Sequence, residues 1–272
     1  MTSTPKPRIP IGASSQLSVD FSTLEFLSPG TSGIIYTVDD DRVLKEYYDL
    51  DGGNVECRAL DRLGSHPNII GYFGQVNSKS IILERGTPLS SLQTATISVP
   101  KQMAWIRDVA EGLQYMHQRG IIHADVGCEN MVIVGDRLKI IDFEGCSIDG
   151  DEATAGYKWY NRRDLSADSQ SDIFAFGCVI YQMLTGRPTF HELAESGDRS
   201  NVARRLWAEH RFPKVQGLPL SDVMLGCWSG HFKSMGEVIS ALDSTWTTRL
   251  DAPRLTMNIR GWISTWTKYV RG

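Results

Sequence analysis

No stretch of this sequence approaches the roughly 20 consecutive apolar residues that a membrane-spanning helix needs. Its five cysteines (Cys57, Cys128, Cys146, Cys178 and Cys227) are odd in number, scattered and without a C-x-x-C pair. That argues against a disulfide framework and a zinc site, and for reduced thiols in the cytoplasm or nucleus. Basic residues are in no excess: 28 Lys and Arg stand against 32 Asp and Glu, a formal charge of −4. Broad nucleic-acid binding needs a clustered basic face, so that class is disfavoured. Internal repeats and low-complexity tracts are also missing. The opening MTSTPKPRIP is polar and proline-rich with no apolar run behind it, so residues 1–21 read as a tail and not a secretory signal. What remains is 272 residues of ordinary globular composition, 22% charged, with ample apolar sequence for a large core.

The first third alternates β-branched and aromatic runs with turns. STLEFL leads into SPGTSG at 28–33, and IIYTV and RVLKEYY follow, joined by an acidic turn at 39–41, which predicts a hairpin. Gly52, Gly53 and Asn54 then punctuate, and Asn54 suits the N-cap of a short helix ending at Leu63. IIGYF and SIILE predict two more strands. After Glu84 the period becomes helical. Pro100 suits the first turn of a helix that carries Met103, Ile106, Val109, Leu113 and Met116 on one face and closes at Gly120. SDIFAFGCVIYQMLTG is apolar nearly all round, which predicts a buried central helix. PLSDVMLGCWSG and SMGEVISALDSTW predict further helices. Strands first and helices after predict a two-lobed α+β architecture with a small β-rich N-lobe, a larger helical C-lobe and a boundary near Arg85–Pro88.

Four elements carry candidate chemistry. The turn Ser28-Pro29-Gly30-Thr31-Ser32-Gly33 lies between two strands, where glycines let backbone N–H groups face phosphates; many such turns are merely hairpins. Lys45 sits in the strand Val43-Leu44-Lys45. Glu56, on the short helix, could hold Lys45 by an ion pair, although a solvated helix glutamate is the blander alternative. IIHADVGCEN sets Asp125 five residues before Asn130, and KIIDFEG puts Asp142 just after an apolar strand. Acceptor oxygens from two such loops suit a hydroxyl to be deprotonated and a hard cation at phosphate oxygens.

With these residues in view, the chain resembles a protein kinase catalytic domain over about residues 22–248, with an N-lobe of 22–85 and a C-lobe of 86–248. The resemblance implies that Gly30 and Gly33 are the second and third glycines of the phosphate loop, with Ser28 in place of the first. It implies that Lys45 binds phosphate and pairs with Glu56, that Asp125 is the catalytic aspartate, and that Asp142 and Asn130 hold magnesium. Ile35, Val43, Leu83 and Val132 would line the nucleotide pocket. Leu83 falls at the gatekeeper, and Glu84 to Gly86 at the hinge that reads adenine. Asp172 matches a buried aspartate opening the central helix, and Asp164 the glutamate of A-P-E, with Lys233 as its partner. HADVGCEN, DFEGCSIDG and CWSGHFKSMGEV are also similar to small divergent kinase-like proteins of filamentous fungi.

The implied function is magnesium- and ATP-dependent phosphoryl transfer to a hydroxyl of a protein or small-molecule acceptor. Several positions depart from the pattern. Ala124 replaces an arginine and Gly127 a lysine that neutralises the transferring phosphoryl group. Glu144 replaces the glycine of D-F-G, Val43 a smaller alanine, and Tyr157 a threonine near Asp125. Two alternatives therefore stay open: a pseudokinase scaffold or binding module, and a kinase-fold biosynthetic enzyme using a small molecule or another activated donor. Finally, Leu255, Ile259, Trp262, Trp266 and Tyr269 trace an amphipathic stripe in a basic extension, 249–272. It would dock on its own C-lobe or meet a partner, an anionic membrane or RNA.

Overall fold

A computed structural model of the chain describes residues 19–161 and 167–251, with side chains as far as 245. Asp164 with its pairing to Lys233, most of the expected tail, and the stripe from Leu255 to Tyr269 lie outside the described residues.

The N-terminal strands are β1 (Glu25–Pro29), β2 (Gly33–Thr37) and β3 (Arg42–Tyr47). After helix α1 (Leu50–Leu63) come β4 (Tyr72–Asn77) and β5 (Ser80–Glu84). They form one antiparallel sheet in the order β1-β2-β3-β5-β4. Side chains alternate across a strand, so β3 divides its residues. Leu44 joins Ile82 and Val76 in a small cluster on one face, with Tyr36 and Val38 against it. Val43, Lys45 and Tyr47 point the other way, and Ile35, Ile81 and Leu83 pair directly with them across the ladder. That second face meets α1 and the main core.

α1 starts earlier than its composition suggests. Asp49, not Asn54, is the N-cap, and its side chain accepts from the Gly52 amide at 3.4 Å. Gly53 lies inside the helix because a Cβ there would come within 2.7 Å of the Tyr47 ring; it permits close packing instead of marking a break. The predicted strand IIGYF is likewise shifted. β4 begins only at Tyr72, while Ile69 and Ile70 tie their backbone to Ile140 in the second lobe.

The chain crosses between lobes at Arg85–Gly86. Beyond lie β6 (Thr87–Pro88), α2 (Val99–His117), β7 (Ile121–Ile122), β8 (Met131–Val134), β9 (Arg137–Ile140) and β10 (Ser147–Ile148). Four helices follow: α3 (Ser169–Thr185), α4 (Arg199–Ala208), α5 (Ser221–Ser229) and α6 (Met235–Asp251). The boundary expected at residue 248 falls inside α6. Pro100 does occupy the first turn of α2. α3 is capped by the Asp168 side chain and closed by Gly186 at φ +72°. It is buried on most sides, between α2 and α5, with Phe174 packed edge-on to Trp207 and Trp207 tilted on Trp228. One continuous apolar core passes from α1 and β3 through α2 and β9 to α5. Among the described residues no helix is long and apolar enough to cross a membrane.

Candidate active site

Lys45 is the centre of the cleft. Its alternation on β3 turns it toward α1, and it is almost fully buried. Its Nζ meets Glu56 Oε2 at 2.7 Å, Asp142 Oδ1 at 3.0 Å and Glu144 Oε1 at 3.2 Å. The first two contacts are aligned hydrogen bonds. The third is a charge contact off the bonding direction, and it leaves the buried Glu144 Oε1 without a hydrogen-bond donor. Burial would lower the Lys45 pKa, but the three carboxylates more than reverse this and raise it, so the ammonium stays charged. Glu56 is wholly buried and fully engaged. Oε2 also accepts from the Tyr47 hydroxyl at 2.8 Å, and Oε1 accepts from the Phe143 amide at 3.1 Å. That amide bond ties the DFE loop to α1, and Phe143 sinks completely into the core. Asp142 adopts φ +69°, a left-handed conformation costly for a non-glycine residue, and one third of its side chain stays exposed in the cleft.

The loop carrying Asp125 is held from beneath. Asp172, at the start of α3, is fully buried and accepts four hydrogen bonds. Its donors are the His123 amide (3.0 Å), the Ala124 amide (3.1 Å), the Tyr157 hydroxyl (2.7 Å) and His117 Nε2 (2.8 Å). These bonds hold Ala124 at φ +65°. His123 Nδ1 accepts from the Asp125 amide at 3.3 Å, which leaves Nε2–H to donate to the Ile141 carbonyl at 3.0 Å. Asn130 Nδ2 donates to both the Asp125 carbonyl (2.8 Å) and Asp125 Oδ2 (3.0 Å), so its own Oδ1 is the atom left to meet a cation. Lys158 Nζ lies 3.8 Å from Asp125 Oδ2. Where Gly127 stands, a Cβ would meet the Glu129 carboxylate within 2.7–2.9 Å.

The remaining predicted residues surround the cleft. Gly33 is required by packing, since a Cβ would approach the Glu46 carbonyl oxygen to 2.3 Å, and the Gly30 amide closes the turn onto the Gly33 carbonyl at 2.7 Å. Ser28 lies on exposed β1, just after its bulge. Ile35, Val43 and Leu83 share the Lys45 face. Gly86 lies against Val132, which a Cβ would meet at 2.8 Å. Glu84 turns its side chain to Lys139 (2.6 Å), and the Glu84 and Arg85 amides donate to the Gly71 and Asp41 carbonyls.

Helix α1 and the DFE loop thus converge on one buried ammonium carried by β3, and the protein kinase domain family matches residues 45–235. The chain belongs to that family. It is similar to mitogen-activated protein kinase kinase kinase 7 of Homo sapiens, 27% identical over 217 residues, which is 69% of this chain and 34% of that protein. Cyclin-dependent kinase F-4 of Oryza sativa subsp. japonica is 24% identical over 212 residues, or 67% of this chain and 44% of that protein. The kinase domain here therefore spans less than half the length of either relative. Its donors suit a hard divalent cation, since Asp142 offers a part-exposed carboxylate and Asn130 an amide oxygen, whereas the oxygens of Glu56, Asp142 and Glu144 that lie within 4.8 Å of one another are gathered around the Lys45 ammonium. Sequence reasoning missed Tyr47, His117 and Lys158. A tyrosine that ends one strand and bonds a glutamate in the next helix leaves no local signature, and neither does a histidine that ends a helix.

Proposed function

We propose that this kinase domain binds a magnesium nucleotide in the cleft and transfers the terminal phosphoryl group of ATP to a hydroxyl, a protein serine or threonine first among candidates. The observation that carries the reading is Lys45 joining Glu56 of α1 to Asp142 of the opposite lobe. Asp142 and Asn130 would hold the cation, and the bound magnesium nucleotide supplies the phosphoryl group and its charge neutralisation. Lys45 keeps its ammonium charged and aimed into the cleft, steadied by Glu56 and Tyr47. Ile35, Val43, Leu83 and Val132 offer an apolar slot for the base beside the Glu84–Gly86 hinge. Asp125 takes the acceptor's proton at Oδ1, because Oδ2 is engaged by Asn130 and faces Lys158. Lys158 places a cation on the side where Gly127 provides none.

A binding module without turnover is the second reading, favoured by the Glu129 carboxylate beside Gly127 and by the three carboxylates on Lys45. We read the protein as cytosolic or nuclear, supported by its five free buried thiols, and as akin to the fungal kinase-like proteins its motifs resemble. The test compares wild type, Asp142→Asn and Asp125→Asn. Magnesium-ATP should raise the melting temperature of wild type and Asp125→Asn but not of Asp142→Asn, and single-turnover conversion of ATP to ADP should be lost in both variants. Thermal stabilisation of wild type with turnover no faster than Asp125→Asn would select the binding module.

A further inference from the structure

The Lys45 ammonium has three N–H donors, and three carboxylates surround it at 2.7, 3.0 and 3.2 Å. Two of these have other work. Glu56 fixes α1 to the DFE loop through the Phe143 amide, and Asp142 is exposed toward the cleft. Glu144 has neither role. Its carboxylate lies between Lys45, the start of α1 and the glycine turn. A Cβ on Gly52 would sit 3.4 Å from Oε2, and Ser32 of the turn is beside it. Its buried Oε1 has no hydrogen-bond donor. Three carboxylates against one ammonium leave the phosphate side of the cleft negative before any phosphate arrives, in surroundings where charge is poorly screened.

We propose that Glu144 occupies the place of a phosphate on Lys45 and makes nucleotide capture selective for the cation-loaded form, so that metal-free nucleotide is rejected. This rests on the nucleotide reading above. A free triphosphate must take the side of the Lys45 ammonium that Glu144 now faces and then lie against all three carboxylates. The same triphosphate carrying a divalent cation brings the charge that compensates Asp142 and Glu144, and it takes the third Lys45 donor without stranding an anion. Glu144 is thereby a specificity residue for the charge state of the ligand.

The experiment is calorimetric titration of a non-hydrolysable ATP analogue into the full chain, once with EDTA and once with saturating magnesium, for wild type, Glu144→Gln and Glu144→Ser. Thermal melting verifies that each variant folds, and the serine variant decides the matter should the glutamine variant not fold. The expected result is metal-free affinity about tenfold or more tighter in the variants, with magnesium-loaded affinity within about threefold of wild type. Unchanged metal-free affinity in folded variants, beside normal magnesium-dependent binding by wild type, overturns the role of Glu144 and leaves the nucleotide reading standing. A larger loss with magnesium than without it also overturns the role, because Glu144 would then be a cation ligand. Absence of binding in every protein under both conditions overturns both readings. Metal-free binding by the variants alone, with magnesium-dependent binding by all three proteins, supports this one, and a wild type that binds under neither condition while the variants bind overturns the selectivity.

Discussion

Replacing Asp172 with asparagine tests whether the catalytic loop is held by charge or merely by shape. The carboxylate is fully buried and accepts four hydrogen bonds, two on each oxygen: Ala124 N–H and Tyr157 O–H on Oδ1, His123 N–H and His117 Nε2 on Oδ2. Asparagine retains only one oxygen, so whichever way it turns, an N–H donor faces its amide nitrogen. Hydrogen bonds to a charged group contribute about 1.5–3 kcal/mol each, and a buried donor left unsatisfied costs about 1–3 kcal/mol. Breaking a buried charged network costs about 3–5 kcal/mol, a large share of the roughly 5–15 kcal/mol that holds a domain together. Urea unfolding should show that loss as a lower midpoint at unchanged slope. Tyr157→Phe should cost about 1.5–3 kcal/mol in wild type but less than about 1 kcal/mol beside Asn at 172, since the two share one interaction. Burial would raise the Asp172 pKa, yet the hydrogen bonds from His117 and Tyr157 hold it below the ordinary carboxylate range. A depressed folded pKa means stability that is fully present above the ordinary value and lost as pH falls from there through the lower folded value. The gap between wild type and Asp172→Asn should therefore be full near neutrality, begin to narrow at about pH 4 and close as pH falls through the depressed folded value. A difference under about 1 kcal/mol at neutral pH, or one independent of pH, would refute the reasoning.

Three further outcomes follow from the structure. Lys158→Met should slow single-turnover transfer about tenfold with nucleotide affinity unchanged, because the cation borders Asp125 and not the hinge; Gly127→Lys should give little gain unless combined with Glu129→Gln, since the Glu129 carboxylate fills the space and would pair with the new ammonium. All five cysteines are buried, with burial pushing Cys146 and Cys178 up to about 12, so native protein should leave a disulfide thiol reagent unreacted for minutes while denatured protein consumes five equivalents; a fast native phase would show that one thiol is open.

The amino-acid order alone determined that strands precede helices, that a glycine turn joins the first two, and that Lys45, Asp125, Asn130 and Asp142 sit on a strand and two loops. Those features are carried by alternation, turn chemistry and short motifs, all of which act over a few residues. It also placed Glu56 on a helix, though it could not distinguish a solvated glutamate from a buried partner. That distinction required Tyr47 and the Phe143 amide to close around the carboxylate. The start of α1 was misjudged because Gly52 and Gly53 look like punctuation until the Tyr47 ring is seen against Gly53. The remainder belongs to tertiary structure for one reason: the deciding contacts join residues far apart in the chain. Lys45 and Asp142 are 97 positions apart, and His117 and Asp172 are 55. No periodicity spans such intervals. Only the folded chain, with one ammonium enclosed by three carboxylates at the base of the cleft, decides that Glu144 faces Lys45.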